Sequence, residues 1–517
     1  MASRFDPLIR SVEDALRRSG DVREWIRSRR WCGDSIGIRT ELVVKDRALL
    51  LETGAEAFVL YLLVARDPGS QRPIHLPLSI ATSRVEADSV EVQGMGVRGW
   101  VAEAERRDGY ARFLVNAFAK GTRVPTASGD MLAFLGDPLG SFRSSSVASA
   151  GDTSNVLVDI VCAERQVVLK SYRLLDPGNR EPDILIRIHR KGFPHAAPYI
   201  GEFELGRGED RLVLGVATER IDGTDLFSWL LNGWKGTLAR EGGVVAGDQE
   251  AVSVSVAGTL GEATAALHDV LVDRRPGPWQ AETFTEDDAR AAFKTAMSYL
   301  GDALRRLGQL ARTGTGTSHV RSLAGSARGA LFERRGPIEK VLGGLRASVG
   351  GPKCVTHGDL HLGQVIRRTS DGRPFFIDFE GEPERAPGQR SAKMPPLRDI
   401  GAMVRSFSYL RHYAWREATK GDPVAAMRLL DLASLTPAER ELADRLSRWE
   451  GMAADRFVER YLSCARVQGG LAPAEAREVI RGWAMEKALY ELDYELKHRE
   501  ENIFIPLEGI AALARAA

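Results

Sequence analysis

The stretch His357-Gly358-Asp359-Leu360-His361-Leu362-Gly363-Gln364, followed by Ile377-Asp378-Phe379-Glu380, decides how the rest of the chain is read. Asp359 stands five positions before an amide side chain, and Asp378 follows the apolar run Pro374-Phe375-Phe376-Ile377. Phosphoryl transfer asks little covalent help of a protein and depends on a positioned base, metal ligands and cationic contacts to phosphate. On that reading Asp359 accepts the proton of an attacking hydroxyl. The carbonyl oxygen of Gln364 and the carboxylate of Asp378 are hard oxygen ligands of the kind Mg²⁺ prefers, and Glu380 could reach metal or substrate. Strand candidates at 365–367 and 374–377 flank Thr369-Ser370-Asp371-Gly372, and a hairpin closed by that Asp-Gly turn would return Asp378 toward Gln364.

Upstream, the runs 156–162 and 166–172 read as strands joined by Ala163-Glu164-Arg165. Lys170 ends the apolar run Val167-Val168-Leu169, as does the strand lysine that pairs with the α- and β-phosphates of bound ATP. A helix candidate at 181–189 follows, and either Glu181 or Asp183 could hold that lysine. The serine-rich segment 141–155 is expected to be a loop. It lacks a glycine-rich pattern, having Gly151 alone near the right place, so backbone amides and the hydroxyls of Ser149, Thr153 and Ser154 would hold the phosphates. A strand at 211–221, the turn Asp222-Gly223 and a helix from 224 to 231 suit a hinge in which backbone groups of Thr218, Glu219 and Ile221 meet the adenine.

The remaining pattern divides in two. Residues 6–30 read as an amphipathic helical opening, 37–81 as strand-forming, 97–102 and 130–135 as further strands, and 109–119 as helix. After a glycine-bearing linker at 241–249, the segments 252–272, 284–310 and 320–345 carry apolar residues at helical spacing, with His268 expected to be a satisfied core histidine.

Composition excludes several classes. The 517 residues hold 71 Lys+Arg against 70 Asp+Glu, so no strong global field favours nucleic acid or an anionic membrane. Four separated cysteines, Cys32, Cys162, Cys354 and Cys464, show no metal-ligand spacing and read as free thiols of a reducing compartment. With no signal-peptide core at the N-terminus and no apolar run long enough to span a bilayer, a cytoplasmic protein is expected, acting as a monomer on a small molecule.

His-Gly-Asp-Leu-His-Leu-Gly-Gln, Ile-Asp-Phe-Glu-Gly-Glu-Pro, Pro396-Leu397-Arg398-Asp399-Ile400 and Met403-Val404-Arg405-Ser406-Phe407 together resemble the actinobacterial maltokinases and related glucosamine kinases. Arg30-Trp31, Lys170-Ser171-Tyr172-Arg173 and Glu486-Lys487-Ala488-Leu489-Tyr490-Glu491 fit the same order. The resemblance implies an α+β, two-lobed protein-kinase-like fold with an N-terminal cap subdomain and a mainly helical C-lobe. It places a cap and adjoining subdomain at 1–140, the rest of the nucleotide-binding lobe at 141–222, and a helical lobe with catalytic loop and sugar site at 223–517. It also implies ATP and Mg²⁺ as cofactors, with Asp359, Gln364, Asp378 and Lys170 matching the base, metal and nucleotide positions.

Trp483, Lys487, Tyr490 and Tyr494 fall on one helical face with Glu486 and Glu491 beside it, a plausible wall for a sugar in which His361 would also take part. Glu382 is expected to face solvent or an arginine. Ser408 stands where maltokinases tend to have Asp, and carboxylates such as Glu380, Glu486 and Glu491 would suit an ammonium group. Glucosamine is therefore expected as substrate ahead of maltose. A catalytically silent kinase-like binding module is the reading from another class.

Overall fold

The computed structural model describes residues 3–18, 20–29, 31–32, 41–66, 72–94, 96–148, 155–206, 211–238, 246–313, 318–422, 427–430, 432–467 and 470–515. The chain forms two compact units, one of residues 1–186 with 197–220, the other of 187–196 with 221–517.

The first unit opens on helix Asp6–Arg17, which carries Asp6 and a proline in its first turn and Arg17 in its last. Its apolar stripe Leu8, Ile9, Val12 and Leu16 is buried, as the spacing requires. A second helix, Asp21–Arg27, follows. A five-stranded antiparallel sheet runs in the order Glu41–Glu52, Glu56–Arg66, Pro73–Ala81, Val97–Glu103, Val90–Gly94. Within the stretch 37–81 expected to form strands, Glu41–Glu52 is one long strand, bent by bulges at Val44/Asp46 and Leu49/Leu51.

A seven-stranded sheet follows, in the order Arg123–Pro125, Met131–Gly136, Tyr199–Leu205, Leu212–Glu219, Gln166–Ser171, Val156–Cys162, Phe142–Val147. Strand Val156–Cys162 alternates in burial, with Val156, Val158, Ile160 and Cys162 inward. Two expectations are corrected here. Residues 142–147, read as loop from their serines, form an edge strand, where polar side chains can face water while the backbone completes the ladder. The boundary at 140 falls inside this sheet, because Met131–Gly136 pairs with Tyr199–Leu205 on one side and with Arg123–Pro125 on the other.

The second unit is mainly helical. Its small sheet orders Gly223–Asp225, Val365–Arg368 and Pro374–Phe376, so the expected hairpin forms, with register Val365↔Phe376. Helix Leu226–Leu238 begins this unit's helical part, and Ala246–Val270 takes in the last residues of the segment read as a linker. Glu286–Thr313, Ser318–Glu333 and Arg335–Gly343 follow. The long helices Leu397–Ala418, Pro437–Cys464 and Pro473–His498 lead to the closing helix Phe504–Arg515. At Gly401 a Cβ would lie 2.8 Å from the backbone nitrogen of Ala484, so only glycine lets Leu397–Ala418 approach Pro473–His498 this closely. Cys162 and Cys354 are buried free thiols and Cys464 an exposed one, while Cys32 is buried. Among the described residues no helix is long and apolar enough to cross a membrane.

Candidate active site

In the sheet-rich unit Lys170 pairs across its strand with Leu157 on one side and Val216 on the other. Its ammonium donates to Glu181 Oε2 at 2.7 Å, and the Tyr172 hydroxyl donates to the same oxygen at 2.7 Å. The choice left open between Glu181 and Asp183 is thereby made by geometry. Glu181 is buried at the first turn of helix Glu181–Arg190, whereas Asp183 meets Arg211 at 3.3 Å. Thr218 and Glu219 end the strand Leu212–Glu219, and the Glu219 N–H donates to the Pro198 carbonyl at 2.9 Å. Ile221 begins the second unit. Ser149, Gly151, Thr153 and Ser154, expected at the phosphates, lie outside the described residues.

In the helical unit the loop around Asp359 is held from behind. His357 and Gly358 donate their backbone N–H groups to Asp399, at 2.8 Å to Oδ2 and 3.1 Å to Oδ1. Asp399 is buried at the start of helix Leu397–Ala418, where its charge also suits the helix dipole. His268 Nε2 lies 3.1 Å from Asp399 Oδ2 and His268 Nδ1 2.8 Å from the Tyr461 hydroxyl. A carboxylate only accepts, so Nε2 carries a proton and donates it to Asp399. His268 is thus the satisfied core histidine that its position implied, but its partner is the carboxylate that clamps the loop. Gly358 has φ 86° and faces Gly381, whose Cα a Cβ would approach to 3.3 Å, so glycine serves both the left-handed turn and the close contact.

The hairpin brings the proposed metal ligands together. The Ile377 N–H donates to the Gln364 carbonyl at 3.0 Å, and Gln364 Nε2 donates to Asp378 Oδ2 at 2.7 Å. Asp378 adopts φ 63°, the left-handed conformation that Asp tolerates better than most residues and that strained functional positions often show. An amide oxygen and a carboxylate on one hydrogen-bonded pair form a hard-oxygen donor set, so these residues fit Mg²⁺. Glu380 is half-buried two residues on. His361 spans the loop's own turn, accepting the Gly363 N–H at Nδ1 over 3.1 Å, with Nε2 4.0 Å from Asp359 Oδ2.

The expected sugar wall on Pro473–His498 is corrected. Trp483 is 1% exposed and packs edge-on against Phe284 beneath Gly401, so it belongs to the core and offers no ring face to a ligand. Glu486 is buried against Arg385 at 2.5 Å, and Glu491 against Arg405 at 2.9 Å. Tyr490 is buried, with Tyr299 edge-on at 5.6 Å and the cations of Lys487 and Arg385 over its ring at 4.8 and 5.5 Å. Lys487 donates to Asp359 Oδ1 at 3.0 Å and to Glu382 Oε1 at 2.6 Å. Glu382 does not face solvent; it is buried among Lys487, Arg385 and Arg398. Helical periodicity groups these residues by face, but it does not record that Glu486, Lys487 and Glu491 each meet an opposite charge.

Electrostatics follow from that crowding. Burial alone would raise the Glu382 carboxyl, but Arg385, Lys487 and Arg398 outweigh it and hold it far below the usual range. Burial alone would lower the Lys487 ammonium, but Asp359 and Glu382 reverse this and hold it raised, so it stays charged. Of the further residues that hold this site, Arg398 and Asp399 had a signal in the motif Leu397-Arg398-Asp399, and Arg385 had none.

A sheet bearing a Lys–Glu pair, and a helical unit bearing an Asp–Gln–Asp loop, define a kinase-like phosphotransferase. The model of the phosphotransferase enzyme family (APH) matches residues 150–462, and the chain belongs to that family. Within it, the chain is similar to a glucosamine kinase of Streptacidiphilus jiangxiensis, 27% identical over 71% of this chain and 76% of that one. It is also similar to a glucosamine kinase of Mycolicibacterium smegmatis, 29% identical over 37% of this chain and 42% of that one. A solved glucosamine kinase in complex with glucosamine, ADP and inorganic phosphate shares the fold, with TM-score 0.61 and 18% identity, covering 96% of this chain and 100% of that chain.

Proposed function

We propose that this protein is an ATP-dependent sugar kinase that transfers the γ-phosphoryl group to a hydroxyl of glucosamine. The observation that carries the chemistry is the 2.7 Å contact between Gln364 and Asp378 beside the loop of Asp359, which reproduces a base and two oxygen ligands in the order phosphoryl transfer needs. The substrate rests on the relative from Streptacidiphilus jiangxiensis, matched over 76% of its length.

Lys170, fixed by Glu181, supplies the cation for the nucleotide's phosphates. Asp359 orients the acceptor hydroxyl and takes up its proton. Gln364 and Asp378, with Glu380 beside them, would hold Mg²⁺, which when bound neutralises charge on the phosphates. Ser408, which stands where maltokinases tend to have Asp, is buried beside Glu450. Of the carboxylates that would suit an ammonium group, Glu486 is paired with Arg385 and Glu491 with Arg405.

A coupled ADP assay against glucosamine, maltose, glucose and an aminoglycoside tests the proposal. Turnover highest with glucosamine supports it. Turnover highest with maltose reassigns the substrate, and silence on all four returns the chain to the binding-module reading.

A further inference from the structure

Lys487 sits where a substrate contact was expected, but both of its hydrogen bonds go to protein carboxylates: 3.0 Å to Asp359 Oδ1 and 2.6 Å to Glu382 Oε1. We propose that Lys487 is a positioning residue for the base: it occupies Oδ1 of Asp359, so that Oδ2 is the oxygen turned to the acceptor hydroxyl. The inference rests on the reading of Asp359 as base.

Three observations carry it. Lys487 is buried, with its side chain 10% exposed, and so cannot trade these contacts for water at little cost. Its second partner is itself held: Glu382 is 1% exposed and takes Arg385 and Arg398 as well, while Arg385 is braced in turn by Glu486 at 2.5 Å. Arg398 closes the circuit by reaching the Gly358 carbonyl at 3.4 Å, in the residue just before Asp359. The base is therefore tied from two directions, by its backbone through Gly358 and by its carboxylate through Lys487. An ammonium held this way has one geometry in which both carboxylates are satisfied. A carboxylate with one oxygen so fixed has lost its freedom to rotate about the Cβ–Cγ bond, which is the kind of alignment an in-line transfer requires.

The chemistry assigns Lys487 no proton to move. Two carboxylates hold the ammonium charged, so it is a donor throughout turnover.

The test uses the full chain with glucosamine as acceptor and three variants. In Lys487→Met, which keeps the stem and removes the ammonium, kcat falls about 10- to 100-fold. The KM for ATP stays within about threefold, because the nucleotide contacts are elsewhere. Lys487→Arg restores the charge with a different fork and stands between the two in kcat. A Lys487→Met enzyme with kcat within about twofold of the parent overturns the proposal. So does loss of cooperative melting in both Lys487 variants, which would assign the residue to holding the fold. Asp359→Asn separates the underlying reading from this one: if that variant turns over normally, Asp359 is not the base, whatever the Lys487 variants do.

Discussion

The Asp399 carboxylate accepts the His357 backbone N–H at 2.8 Å, across forty-two positions of chain, and the same Oδ2 lies 3.1 Å from His268 Nε2. A buried acceptor with this many donors cannot be removed without orphaning them. Asp399→Ala should cost about 3 kcal/mol of stability, the scale for breaking a buried charged pair. Urea unfolding of both proteins measures it; a change below about 1 kcal/mol would show that the loop stands without its clamp.

The same residue predicts a pH dependence. Burial alone would raise the Asp399 carboxyl, but the His268 hydrogen bond and neighbouring cations outweigh it and hold it below its ordinary value. A group depressed on folding stabilises fully above its unfolded value, about pH 4, and that stabilisation fades as the pH falls through the folded one. The Tm of the parent should therefore drop below about pH 4.5, and that of Asp399→Asn, already lower at neutral pH, should drop less over the same window. Parallel Tm curves for the two proteins would contradict the assignment.

On the proposed function, Asp359→Ala removes the carboxylate that would take the hydroxyl proton. Turnover should fall about 10²- to 10⁴-fold with nucleotide affinity largely kept, as measured by the ADP assay and by titration calorimetry. Near-normal turnover would sink the role given to Asp359.

Lys170 and Glu181 form a pair 2.7 Å apart with both side chains mostly buried. Lys170→Ala should raise the KM for ATP about tenfold or more, the worth of one charge-assisted hydrogen bond to phosphate. Glu181→Gln should do so less, because the lysine remains. An unchanged KM in the alanine variant would move the phosphate contact elsewhere.

Gly401 marks the crossing that brings the Lys487 helix to the Asp359 loop. Gly401→Ala would push a methyl to 2.8 Å from both the Ala484 nitrogen and the Trp483 Cβ. The expected cost is about 1–3 kcal/mol, with a fall in kcat as the two helices part. Calorimetric melting together with steady-state kinetics reads both effects.

Much of the second unit's site geometry was legible in the sequence because it is local. The Asp-Gly turn at 371–372 sets a hairpin, and the hairpin sets Asp378 beside Gln364, so a pattern within twenty-two residues carries its own geometry. The strand ending in Lys170 was legible for the same reason: an apolar run beside a tight turn has few other folds open to it. Edge strand Phe142–Val147 was missed, since its serines announce no burial and its pairing belongs to the neighbouring strand.

What the sequence determined by itself was the order of chemical groups and the faces they occupy, because helix and strand periods depend only on backbone geometry. The tertiary structure alone decided which group stands opposite each face. It chose Glu181 over Asp183 for Lys170, buried Trp483 beneath Gly401, and set Lys487 between Asp359 and Glu382. Those partners lie up to 128 positions apart, and buried charge is stable only where such distant partners meet, which no local pattern records. The loop at His357–Gln364 thus carries an order of chemical groups, and the tertiary structure sets Lys487 against its Asp359.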